Sequence, residues 1–148
     1  SIKKGDDYDS YIRLSRLYIG KRQYELAEDY LEQIPSKLRK EEYWLEYSNL
    51  YESWNKEELA IDYAQKSIEI NKNYILAWVR LARLYRKKKK LEDASRAIQE
   101  ALKINDEYEG AKLEQARIQK EQGKQKDYQG SLLELVKRWI HRYRHDSM

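Results

Sequence analysis

The sequence predicts an all-α protein, a solenoid of antiparallel helix pairs, and three observations predict it. Breakers are scarce: 148 residues include one proline and five glycines, so helix is favoured almost throughout. Apolar residues recur at intervals of three and four, the spacing of one helix face. The chain also repeats itself. The stretch KSIEINKNY, ending at Tyr74, is echoed by EALKINDEY, ending at Tyr108.

The repeat sets the order of the elements. Trp44, Tyr51, Ala60, Ile70-Asn71 and Tyr74 recur 34 residues later as Trp78, Tyr85, Ala94, Ile104-Asn105 and Tyr108. One unit earlier, at a shift of 33, Tyr11, Tyr18 and Ala27 precede Trp44, Tyr51 and Ala60. Units of this length that recur in register are stacked supersecondary units. The first pair of helices falls near 8–20 and 24–34, and the second near 40–53 and 57–70. The third falls near 74–87, carrying Ile75, Trp78, Leu81, Ala82 and Tyr85, and near 91–104, carrying Leu91, Ala94, Ala97, Ile98, Ala101 and Leu102. The polar run Arg86-Lys87-Lys88-Lys89-Lys90 is the turn between them. Two more helices follow near 107–122 and 127–144.

Small residues mark the close approaches between helices: Ser15, Ser48 and Ala82 in the first helix of each pair, and Ala27, Ala60, Ser67, Ala94 and Ala101 in the second. Trp44, Trp78, Tyr51, Tyr85, Leu31 and Ile98 fill the space between. As a core residue, Trp78 would cost about 3–5 kcal/mol on truncation to Ala.

The third unit, WVRLARLY at 78–85 followed by Ala94, Ile98 and Ala101, resembles a tetratricopeptide repeat. The second unit matches with Trp44, Ser48, Tyr51, Ala60 and Ser67, and the first with Tyr11, Leu14, Ser15, Tyr18, Ala27 and Leu31. The departures are Ile98 at the aromatic position and Asp106 at the usual proline, Tyr47 and Ala64 in the second unit, and Ile34 at a small position in the first. The resemblance covers residues 8–108. It implies a right-handed superhelix and an organisation of a tail over 1–7 and one domain over 8–148. Repeats would occupy about 8–40, 41–74 and 75–108, with a divergent fourth hairpin or capping helix over 109–145.

That fourth unit fits poorly, because Lys112 and Gln119 stand where large aromatics belong. Its second helix carries the stripe Tyr128, Leu132, Leu135, Val136, Trp139, Ile140 and Tyr143. The leading expectation is a cap packed on the third repeat. The alternatives are a seam for self-association or a partner helix, made of Leu132, Val136, Trp139, Ile140 and Tyr143, and a membrane-surface helix, since Arg138, Arg142, Arg144, His141 and His145 are basic.

The resemblance also implies function: protein–protein interaction through a concave groove lined by the first helix of each pair. Its positions fall on Asp9, Ile12, Arg13, Arg16, Ile19 and Gly20 in the first repeat, on Glu42, Leu45, Glu46, Asn49, Glu52 and Ser53 in the second, and on Leu76, Val79, Arg80, Arg83, Arg86 and Lys87 in the third. Arginine forks hold carboxylates bidentately. Asn49 can hydrogen-bond an extended backbone, and Ile12, Leu45, Leu76 and Val79 offer apolar contact. Arg13, Arg16, Asn49, Leu76, Arg80, Arg83 and Arg86 are therefore the expected peptide site, for a partner with acidic and apolar side chains. The bland expectation beside it is that these arginines pair with neighbouring glutamates. Family members that grip a chaperone's C-terminal carboxylate use Lys and Asn in repeat one, Asn in repeat two, and Lys and Arg in repeat three. Here those positions hold Ile12, Arg16, Glu46, Leu76 and Arg80. Only Arg80 agrees, which argues against that role.

Other chemistries are not supported. No cysteine is present, which removes disulfides, thiolate zinc sites and thiol nucleophiles and fits a reducing, cytoplasmic compartment. No apolar run reaches the length of a membrane span and no signal peptide opens the chain, although it starts at Ser1, as a processed protein or a piece of a longer one would. His141 and His145 lack co-ligands at a recognisable spacing. No phosphate-cradling loop or nucleophile elbow occurs, so neither an enzyme nor a cofactor is expected. Residues 1–74 carry 12 basic and 15 acidic side chains, and 75–148 carry 18 and 11. That asymmetry suits an acidic partner. Nucleic acid is disfavoured because the aromatics occupy core positions of the repeat.

Overall fold

The computed structural model describes residues 4–146, as seven α-helices and one short 3₁₀ turn. The helices are α1 (Lys4–Gly20), α2 (Tyr24–Glu32), α3 (Glu41–Ser53), α4 (Glu57–Ile70), α5 (Ile75–Lys87), α6 (Leu91–Ile104) and α7 (Glu109–Asp146). Helices α1/α2, α3/α4 and α5/α6 form three hairpins, stacked in chain order, and α7 closes the stack against α6 and α5.

The hairpins turn by the same local device. Arg22, Asn55 and Lys89, the residues just past α1, α3 and α5, are the non-glycine residues with positive φ among the described residues, at 61°, 60° and 63°. In each case two bonds tie off the helix end. Lys90 N donates to Tyr85 O at 2.9 Å and Lys89 N to Arg86 O at 2.9 Å. Lys56 and Asn55 do the same to Tyr51 and Glu52, and Gln23 and Arg22 to Tyr18 and Ile19. This is a Schellman cap, which satisfies otherwise orphaned carbonyls. Between hairpins, Asn71 and Asn105 accept from the backbone N–H two residues on, each at 3.0 Å. Such Asx turns redirect the chain after α4 and α6. The first junction instead uses Pro35 and the 3₁₀ turn Ser36–Leu38.

The core lies in two continuous clusters. One joins the first two hairpins around Ile12, Leu31, Ile34, Tyr43, Tyr47 and Leu50. The other joins the second, the third and α7 around Ala60, Leu81, Leu84, Ala94, Ile98 and Ile118. The small residues sit at zero or near-zero exposure, as the repeat predicts: Ser15, Ser48, Ala82, Ala27, Ala60, Ser67, Ala94 and Ala101. Ser48 and Ser67 turn their hydroxyls to the carbonyls of Ala60 and Glu41, both at 2.7 Å. The large aromatics divide differently from expectation. Tyr43 and Tyr47 are buried, while Trp44, Trp78, Tyr51 and Tyr85 are only partly so. Trp44 stacks on Tyr63 with 5.6 Å between centroids, and Trp78 donates its indole N–H to Lys72 O at 2.8 Å.

Two expectations are corrected. The tail placed at 1–7 is helical from Lys4 onward; residues 1–3 lie outside the described residues. The fourth hairpin is absent. Its two expected helices are one helix of 38 residues, Glu109–Asp146. Ala111, Glu114 and Ile118 pack on the third hairpin, and every side chain from 123 to 145 is exposed. The physical reason lies in α7 itself. Its face turned away from the stack presents Lys112, Ala116, Gln119 and Lys120, all exposed, and Leu113 is the one large apolar side chain exposed there, too little for a second helix to bury.

Candidate functional site: the concave groove

The first helices of the hairpins line one face, and between α1, α3 and α5 it deepens into a recess of about 480 Å³. Of the predicted residues, the recess collects Arg16, Asn49, Leu76, Arg80 and Arg83. Glu42, Leu45, Glu46 and Val79 complete the walls, with Tyr74 and Tyr108 from the junctions before α5 and α7. Arg13 is exposed on α1 and is not part of it. Arg86 is not part of it either: its guanidinium pairs with Glu114 and Glu121 of α7, the latter at 3.1 Å. Steps of three fall about 60° short of a full turn, so Arg86 is carried about 120° around α5 from Arg80.

The arginines pair with acidic side chains across helices. Arg16 Nε donates to both Glu46 oxygens, at 3.1 and 3.2 Å. Glu52 is the larger hub. Its carboxylate takes Arg80 Nη1 at 3.0 Å, Arg83 Nη2 at 2.6 Å and Lys87 Nζ at 2.8 Å. Burial would raise the Glu52 pKa, but hydrogen bonds from Lys87 and Arg83 and the charges of Arg83 and Arg80 outweigh it and hold the carboxyl below its ordinary value. Arg80 moves the other way: burial and then the charge of Arg83 lower its pKa. One carboxylate thus serves three cations, and Nε of both Arg80 and Arg83 is buried with no hydrogen-bond partner. Groove arginines thus do meet neighbouring glutamates, and on α5 the pairing leaves positive charge in excess.

Tyr74 adds a polar rim. Burial first, and then the charges of Glu42, Glu41 and Glu46, raise its pKa. The hub role of Glu52 and the two junction tyrosines are what sequence reasoning missed. Tyr74 and Tyr108 carried a signal, since they recur one repeat apart just before α5 and α7.

The lysine run is not a free basic patch. Lys87, Lys88 and Lys89 pair with Glu52, Glu58 and Glu121. Most of the aromatics contact one another, Tyr51 for example stacking on Trp54 and Tyr63. Among the described residues no group of three or more His, Asp or Glu is placed to hold a metal, and no helix is long and apolar enough to cross a membrane.

Comparison with known proteins agrees with this architecture. No curated protein matches the sequence. Among solved structures, the Sgt2 TPR domain from Aspergillus fumigatus superposes with a TM-score of 0.70 at 16% identity, over 80% of this chain and 81% of that one. The first TPR of Spaghetti (RPAP3) bound to the HSP90 peptide SRMEEVD gives 0.68 at 15%, over 82% and 97%. The Arabidopsis OM64 TPR domain gives 0.67 at 13%, over 80% and 99%. At these identities the likeness is one of fold, the right-handed α-solenoid. Models of the tetratricopeptide repeat match residues 8–34, 41–74 and 75–108. With well over half of its length matched, the chain belongs to the tetratricopeptide repeat family.

Proposed function

We propose that the protein is an interaction scaffold whose concave groove binds an extended partner segment with acidic side chains interleaved with apolar ones. The observation that carries this reading is the excess charge on α5: Arg80, Arg83 and Lys87 share the single carboxylate of Glu52. An incoming carboxylate supplies the second anion that this cluster lacks, in charge-assisted hydrogen bonds shielded from bulk water. Leu76 and Val79 beside it give apolar contact, and Asn49 pairs with a peptide amide.

The chaperone peptide held by the Spaghetti domain does not transfer directly. Ile12 is buried, Glu46 faces the recess and is occupied by Arg16, and Leu76 carries no charge. A partner acid is therefore gripped on the α5 ridge rather than across the first two repeats.

The test is an array of peptides about 12 residues long, varied in acid and apolar content and titrated by fluorescence anisotropy. Acidic–apolar peptides bind the wild type, and Arg80→Ala/Arg83→Ala weakens them at least tenfold while circular dichroism shows the fold intact. Equal binding by the variant, or equal binding of peptides with Gln in place of Asp and Glu, removes the groove assignment. Nucleic acid would instead show steep salt dependence with no preference among peptides.

A further inference from the structure

Beyond Gly123, α7 carries a surface that peptide binding in the groove does not use. Residues 123–145 are exposed throughout, yet eight large apolar side chains lie exposed between Tyr128 and Tyr143. At 3.6 residues per turn they fall within about 160° of the circumference, centred near Leu132 and Tyr143. Lys124 and Arg142 border one edge of that arc, and Lys126 and Lys137 border the other. The acidic side chains of this stretch, Asp127 and Glu134, sit at the opposite pole.

That distribution selects among occupants. A second copy of the helix would set basic edge against basic edge in either direction, which is destabilising. A single partner helix covers a seam of two positions in seven, much narrower than this arc. A planar interface takes in close to half of a helix's circumference. There, lysine and arginine stems lie along the apolar border while their charges reach anionic headgroups, and Trp139, Tyr128 and Tyr143 suit headgroup depth. We propose that the projecting part of α7, residues 124–144, lies in the plane of an anionic lipid surface. Among the described residues no helix is long and apolar enough to cross a membrane, and an amphipathic helix places its apolar face in the interface. The stripe is about 24 Å long, and nothing in the described solenoid covers it.

Co-sedimentation of the full 148-residue chain with vesicles tests this. One set is neutral phosphatidylcholine, and the other contains about 30 mol % phosphatidylserine, enough for the surface potential that attracts basic helices. Binding to the anionic vesicles, little to the neutral ones, is expected. Lys124→Gln and Arg142→Gln each weaken it about fivefold, the worth of one cation near such a surface. Leu132→Asp/Val136→Asp abolishes it, and these exposed sites leave the solenoid's thermal unfolding in place. Three results overturn the proposal. One is no binding to anionic vesicles. Another is binding that survives Leu132→Asp/Val136→Asp. The third is a dimer by light scattering that the same double variant dissolves, which gives the face to a second copy. The readouts are separate from peptide binding in the groove.

Discussion

Helices α5 and α7 occupy equivalent places in successive repeats and meet different fates. In α5, Trp78, Leu81, Ala82 and Tyr85 turn toward other helices, and the chain doubles back at Lys89 to lay α6 against them. In α7 the same places hold Lys112, Gln115, Ala116 and Gln119, and the chain does not double back. The residue one repeat after Lys89 is Gly123, better suited to the left-handed turn than lysine is, and the helix still runs through it. A turn residue alone does not make a hairpin. The hairpin closes when the first helix presents an apolar face that the second can bury, because the helix return must offset the entropy of ordering it.

The largest effect is expected where α7 joins the stack. Glu114 is 3% exposed and is held by Arg86, itself 16% exposed. Arg86→Ala leaves that carboxylate only the longer contact to half-exposed Arg117, at 3.6 Å, and costs about 3–4 kcal/mol, measured by urea unfolding. The Lys137–Glu134 pair on the projecting half, 64% exposed on both sides, provides the contrast: Lys137→Ala changes stability by about 0.5 kcal/mol or less.

Ile98→Ala and Leu132→Ala compare apolar residues on the two kinds of helix. The first empties a fully buried site and costs about 2–5 kcal/mol. The second removes an exposed side chain and leaves the unfolding midpoint within about 0.5 kcal/mol of wild type.

Gly123→Ala sharpens the comparison further. A β-carbon there meets open space, and alanine favours helix by about 1 kcal/mol over glycine. Hydrogen exchange in 124–145 is expected to slow. Faster exchange in the variant would mean that position 123 turns as Arg22, Asn55 and Lys89 do.

The smallest effect is acid sensitivity. The Glu52 carboxyl has a folded-state pKa lowered from 4.5, so its contribution to stability is complete above the unfolded value and is lost as pH falls through the folded one. Unfolding of wild type against Glu52→Gln, followed downward from pH 6, shows the gap between them closing below about pH 4.5.

Much of this was legible in the sequence. Spacing and small residues placed α4 and α6 at the observed bounds and α3 and α5 to within a residue, because a 34-residue period constrains each element three times over. The packing of the aromatics was less legible. Periodicity marks a face, while neighbouring helices decide which ring is covered, so Tyr43 is buried and Trp44 beside it stays partly exposed under Lys66. In the groove, the sequence grouped Arg80, Arg83 and Arg86 but neither brought Glu52 to the first two nor sent Arg86 to α7, since those meetings depend on how α3, α5 and α7 cross. The continuation of α7 was illegible for a related reason. An amphipathic stripe from Tyr128 to Tyr143 reads alike whether it meets the same chain or something else.

Peptide binding is proposed for the groove and lipid binding for the projecting half of α7. One paired experiment tests that directly: acidic-peptide and anionic-vesicle binding measured on Arg80→Ala/Arg83→Ala and on Leu132→Asp/Val136→Asp. The predicted result is that the first variant loses the peptide and keeps the vesicles, while the second keeps the peptide and loses the vesicles. Loss of both activities in either folded variant, or of neither in both, would contradict it.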